Sequence, residues 1–135
     1  MLKWPRGLFA VAVLIAIATL LALAGCSPAP VELTQDDSGS TQTLSSKQEL
    51  RITLESNQTT GYQWAVDGDL PPQLKLVGQP DYKAPDSKLA GAPGTEVWTF
   101  MAASSGEGVL KLKYWRSFEP TAEPAETFQV TVKVE

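Results

Sequence analysis

Three clusters of residues carry the chemistry that this chain can offer to another molecule. Asn57-Gln58-Thr59-Thr60-Gly61-Tyr62 gathers two carboxamides and two aliphatic hydroxyls around a glycine. Gly91-Ala92-Pro93-Gly94 is nearly bare backbone, and Arg116-Ser117-Phe118 sets a guanidinium beside an aromatic ring. Such groups donate, accept and stack, which is the chemistry of recognition. Bond making is a different matter. The sequence has no His and a single Cys, Cys26, so no Ser-His, Cys-His or His-metal arrangement can be assembled. Asp67, Asp69, Glu119, Glu123 and Glu126 are the carboxylates that could pair as acid and base, but they fall in polar turns where solvation accounts for them. Asp67-Gly68-Asp69 lacks the ligand spacing of an EF-hand loop. A binding protein without catalytic residue, metal or cofactor is expected.

The lone thiol has another use. Leu23-Ala24-Gly25-Cys26 resembles the lipobox of bacterial lipoproteins, in which the Cys is acylated with diacylglycerol and becomes the first residue after cleavage. Upstream, Lys3 and Arg6 precede an unbroken apolar run over residues 8–24, short for a spanning helix, as in an export signal. An exported protein gains little from an unpaired reactive thiol, which also favours acylation. The expected organisation is a signal peptide over residues 1–25, lipidated Cys26 with a Pro-rich stem over residues 26–30, and one domain over residues 31–135. Each buried acyl CH2 contributes about 0.8 kcal/mol, so two or three chains would hold the protein on a membrane without a transmembrane helix. Ser27, where inner-membrane retention uses Asp, favours the outer membrane in a cell that has one. The stem spans about 3 Å per residue if extended, so the domain stays close to the lipid.

Cleavage would remove two of the 11 basic residues and leave 9 against 15 acidic ones, a balance of −6. That acidity, with Lys and Arg scattered among acids, argues against nucleic acid as a partner. The remaining length suits a single core and a monomer.

The elements that must position the three clusters are legible as alternation with period two. Leu50, Ile52 and Leu54 alternate with Glu49, Arg51, Thr53 and Glu55; Leu74 and Leu76 flank Lys75. Leu110, Leu112 and Tyr114 alternate with Lys111, Lys113 and Trp115, and Phe128, Val130, Val132 and Val134 with Gln129, Thr131 and Lys133. These are half-buried strands. Turns rich in Gly, Pro, Asp and Ser separate them, and no segment carries a helical pattern. Short strands at this spacing predict an all-β, Ig-like antiparallel β-sandwich, with Trp64, Trp98 and Phe100 as large core side chains; a small barrel satisfies the same periodicity.

In order and composition the three clusters resemble the loops of chagasin-type inhibitors of papain-like cysteine peptidases, over nearly the whole mature chain. That family has an Asn-Pro-Thr-Thr-Gly-Tyr loop, a Gly-rich loop before a Trp-x-Phe strand, and an Arg-Pro-aromatic loop, together forming a wedge that enters the peptidase cleft. Asn57, Thr59, Thr60, Gly61 and Tyr62 match the first, Gly91 and Gly94 with Trp98-Thr99-Phe100 the second, and Arg116 and Phe118 the third. The resemblance implies that Thr59 and Thr60 lie at the target's catalytic Cys and His, braced by Asn57. It also implies that Phe118 packs beside them, with inhibition by occlusion and no covalent bond. Gln58, Pro93 and Ser117 depart from the pattern; Gln58 and Ser117 replace prolines and loosen their loops, whereas Pro93 replaces a glycine and removes a backbone donor. The other reading of the residues is an envelope lipoprotein whose sandwich serves assembly, adhesion or ligand binding. The two part on one point: inhibition requires all three loops to share one exposed end.

Overall fold

Alternation of apolar and polar side chains becomes strand pairing across two sheets. The computed structural model describes residues 28–135; the expected export signal, the lipobox-like residues and Cys26 lie outside the described residues. The strands are β1 (Val31–Thr34), β2 (Thr41–Leu44), β3 (Glu49–Ser56), β4 (Gln63–Val66), β5 (Leu74–Leu76), β6 (Asp81–Lys83), β7 (Gly94–Ala102), β8 (Gly106–Trp115) and β9 (Glu126–Val134). One sheet has the order β1-β3-β7-β5, with β6 also pairing β7; the other has the order β2-β9-β8-β4. The long ladders are antiparallel, β3 against β7 and β8 against β9, so the backbone amides of the core strands are satisfied within the sheets.

The inward faces close on one another as a sandwich. Leu50, Ile52, Leu54 and Phe100 of the first sheet and Leu110, Leu112, Phe128, Val130 and Val132 of the second are fully buried, and Trp64 and Trp98 nearly so. Burying each such side chain contributes about 1.5–3 kcal/mol, which is what fixes the register of these strands. Among the described residues no helix is long and apolar enough to cross a membrane.

Two details go beyond the periodicity. β1 runs parallel to β3 and β2 parallel to β9, because the chain starts on one sheet and crosses to the other through the 3-10 turn Gln35–Asp37. Leu76, read as the partner of Leu74 on a buried face, is 40% exposed. β5 is a three-residue edge strand, and there the opposite sheet no longer covers it.

The strand directions define two poles. The connections after β3, before β7 and after β8 fall at one of them; the β2–β3 and β7–β8 turns fall at the other.

Candidate functional site

Loop 57–62 joins β3 of one sheet to β4 of the other, and Asn57 organises it. The Asn57 carboxamide oxygen accepts from the Thr59 amide at 3.2 Å and from the Thr59 hydroxyl at 2.6 Å. Its carbonyl accepts from the Thr60 amide at 3.2 Å and the Thr60 hydroxyl at 2.7 Å. The result is a 3-10 turn over Gln58–Thr60 that ends at Gly61 with φ 78°, a left-handed conformation that favours glycine. Both Thr hydroxyl protons are committed inside the turn. The Thr60 oxygen also accepts from the Tyr62 amide at 3.4 Å, so Thr59 and Thr60 offer a partner their remaining oxygen lone pairs and methyl groups on a shape that is already set.

Asn57 also reaches the second loop, because its side-chain nitrogen donates to the Gly91 carbonyl at 2.9 Å. The two donors on one end of this carboxamide and the acceptor at the other settle which end is oxygen. Gly91 is exposed with φ 78°, and the Ala92 amide donates to the Leu89 carbonyl at 3.3 Å, so the loop turns just before β7. Gly94 plays a different part from its neighbours. It is buried opposite Ser56, and a Cβ there would collide with the Lys83 carbonyl and stand 2.7 Å from the Tyr82 hydroxyl. It supports the loop from below, while Gly91 and Pro93 are exposed and Ala92 is half-buried.

The third loop is tied to the first by Arg116. Its Nε donates to the Thr60 carbonyl at 3.1 Å, and its guanidinium carbon lies 4.4 Å from the Tyr62 ring centroid, with Glu119 at 3.5 Å. Phe118 is 67% exposed, and its ring lies so close over Gly61 that a Cβ there would sit 3.0 Å from it. Gly61 is thus required twice, once for its conformation and once for the ring above it. Ser117 is exposed between the two.

Beneath the loops lies an aromatic and polar base. The Asn57 amide donates to the Tyr114 hydroxyl at 2.8 Å, and Tyr114 stands between Tyr62 and Trp64 with both ring centroids 5.2 Å away. Trp64 then joins the sheets: its indole nitrogen donates to the Glu55 carbonyl at 2.9 Å and its amide to a carboxylate oxygen of Glu96 at 3.3 Å. Glu96 is only 8% exposed, and with Gln58, Gly61, Tyr62 and Gln63 it lines an open cleft of about 220 Å3 at the foot of the first loop.

All three sequence-derived clusters therefore meet at one pole, with Asn57, Arg116 and Gly61 as their points of contact. The residues missed from sequence are Tyr114, Glu96 and Leu89. Leu89 is 77% exposed in the second loop, and a Leu amid Pro, Asp, Ser and Gly was the available signal. Tyr114 and Glu96 were hidden because each sits within a strand. The pole offers a convex edge with Phe118 on the third loop, Leu89 on the second and a rigid hydroxyl-bearing turn on the first. No nucleophile and base meet there.

Comparison with known proteins bears on family and fold. The model of the chagasin family peptidase inhibitors, I42, matches residues 43–132. Chagasin of Trypanosoma cruzi is 31% identical over 105 residues, covering 76% of this chain and 96% of that protein. The crystal structure of the cysteine protease inhibitor EhICP2 from Entamoeba histolytica superposes with a TM-score of 0.73 at 25% identity, over 82% of this chain and all of that one. PbICP-C, solved in complex with falcipain-2, superposes with a TM-score of 0.51 at 26% identity, over 83% of this chain and 95% of that one.

Proposed function

This chain belongs to the chagasin family of peptidase inhibitors, and we propose that it blocks papain-like cysteine peptidases by seating its three loops in the active-site cleft. The observation that carries this reading is the convergence of the loops on one exposed pole, cross-linked through Asn57 and Arg116. A scaffold lipoprotein has no need of that convergence. Inhibition is reversible and non-covalent, since the wedge offers the catalytic thiol no electrophile beyond its own backbone carbonyls. The first loop also resists cleavage for a physical reason: a substrate lies extended across a peptidase cleft, whereas residues 58–60 are held in a 3-10 turn by bonds to Asn57. Thr59 and Thr60 would face the catalytic Cys and His, Phe118 an apolar wall beside them, and Leu89 the cleft on the other side. Because these contacts are made by loops already in place, little conformational entropy is lost on binding.

The test is titration of a soluble chain starting at Ser27 against papain and a cathepsin L-like enzyme. Phe118→Ala is expected to weaken inhibition by about 2 kcal/mol, roughly 30-fold, while leaving the melting temperature in place because the ring is solvent-exposed. Thr59→Ala/Thr60→Ala weakens it as well. A folded sample that inhibits neither enzyme at micromolar concentration would sink the reading. Under the same proposal the protein works from a membrane: the lipobox-like Leu23-Ala24-Gly25-Cys26 supports acylation at Cys26, and Ser27 supports an outer-membrane destination. Metabolic labelling with palmitate, lost in Cys26→Ala, checks the attachment.

A further inference from the structure

The strand directions bear on how such an anchored inhibitor stands on its membrane, an inference that rests on the lipid-anchor reading of Cys26. β1 runs parallel to β3, with Val31 opposite Leu50 and Thr34 opposite Thr53. The stem therefore joins the sandwich where β3 begins, whereas loop 57–62 leaves it where β3 ends. Six steps along β3, from Leu50 to Ser56, cover about 20 Å, so the stem and the wedge lie at opposite poles at least that far apart. The stem is also held down, since the Gln48 side-chain nitrogen donates to the Ala29 carbonyl at 2.7 Å. The three residue steps from Cys26 to Ala29 can reach at most about 11 Å. To lay the loops on the bilayer, the tether would have to run back along the whole sandwich, and it is too short.

We propose that the stem pole faces the lipid headgroups and the wedge points into the aqueous compartment, so that the anchored protein captures peptidases without leaving the membrane. The chemistry of that pole suits headgroup phosphates. Lys47, at the tip of the β2–β3 turn with φ 65°, and Lys75 line a shallow cleft with Ser46 and Met101. Among the described residues neither has a carboxylate within 4.0 Å, while Glu49 and Glu107 of the same pole pair with Arg51 and Lys133. Glu32 shares Arg51 with Glu49, and Glu135 and Asp69, the latter in the segment leading to β5, are the other acids toward that end. Two unpaired ammonium groups beside a lipid tether would hold the pole against an anionic surface.

The test uses the full lipidated chain in vesicles of phosphatidylethanolamine and phosphatidylglycerol that carry a headgroup-linked quencher. With Cys26 acylated, Ser46→Cys and Glu123→Cys each provide a single thiol for a fluorophore, one at each pole. The Ser46→Cys probe is expected to be quenched and the Glu123→Cys probe to keep its emission. Papain inhibition by the unlabelled parent should agree within about two-fold before and after detergent release. Quenching of the Glu123→Cys probe, or inhibition that appears only after detergent, overturns the orientation and leaves the anchor standing. A parent chain that fails to float with the vesicles, or a chain starting at Ser27 that floats equally well, removes the anchor reading and this inference with it. Absence of papain inhibition even in detergent counts against the inhibitor reading, and the two probes still report the orientation.

Discussion

Gln58 is where the first loop departs most visibly from its family, and the geometry makes that departure reversible. Gln58 is the first residue of the 3-10 turn, and its backbone amide has no hydrogen-bond acceptor. Proline is well suited to such a position, because the amide it removes is unpaired and the φ it imposes fits a helical turn. Proline also restricts the residue before it to extended conformations, and Asn57 is already there, with φ −112° and ψ 97°. Gln58→Pro should therefore stabilise the protein by about 0.4–1 kcal/mol, chiefly by narrowing the unfolded ensemble. Thermal denaturation would read this as a rise in melting temperature. Tighter papain inhibition should accompany it, since the loop loses freedom in the unbound inhibitor; a lower melting temperature would show that the turn does not accept the ring. The identities of Thr59, Thr60, Gly61 and Phe118 were legible in the sequence. The role of Asn57 as the link to Gly91 was not, because a carboxamide does not disclose which carbonyl it will meet.

At the scale of the strands, the sheets are held at the wedge pole by Trp64 and Glu96. Trp64 belongs to β4 and Glu96 to β7, so the bond from the Trp64 amide to the Glu96 carboxylate spans the sandwich. Glu96→Gln retains an acceptor for that amide, whereas Glu96→Leu leaves a buried donor unpaired, at a cost of about 1–3 kcal/mol. Urea denaturation should place Glu96→Gln within about 0.5 kcal/mol of the parent and Glu96→Leu well below it. Equal stability of the two variants would mean that the carboxylate does not brace the pole. Three long strands were legible because burial on one face writes period two into β3, β8 and β9, whereas β7 was reached through the Trp98-Thr99-Phe100 of the family resemblance. The short pieces were less so. Asp81–Lys83 pairs only at the edge of β7, where its side chains carry little burial signal, and Leu76 keeps the alternation without the cover. The parallel pairings of β1 and β2 depend on the chain crossing between sheets, which no local pattern records.

Across the whole molecule the wedge is assembled by parity. With β3, β6 and β8 running one way and β4, β7 and β9 the other, each of the three loops falls at the same end. Simple up-and-down alternation of the strands would not give it, because β5 and β6 both run antiparallel to β7 and so point the same way. The position of the stem needs the parallel pairing of β1 and could not be reached from the pattern. Because the loops belong to both sheets, their arrangement depends on the packed core, and the core lies away from the target. Leu110 is fully buried in β8, toward the stem pole, where it faces Val130 of β9. Leu110→Ala removes buried volume and should lower stability by about 2–5 kcal/mol. If the sandwich unfolds as one unit, every molecule that remains folded keeps the intact wedge. The inhibition constant measured well below the melting temperature is then unchanged, while the titre of active inhibitor falls on warming in step with the folded fraction. Circular dichroism followed in parallel with papain titration separates the two quantities. A raised inhibition constant at full folding would show instead that strain in the core reaches the loops.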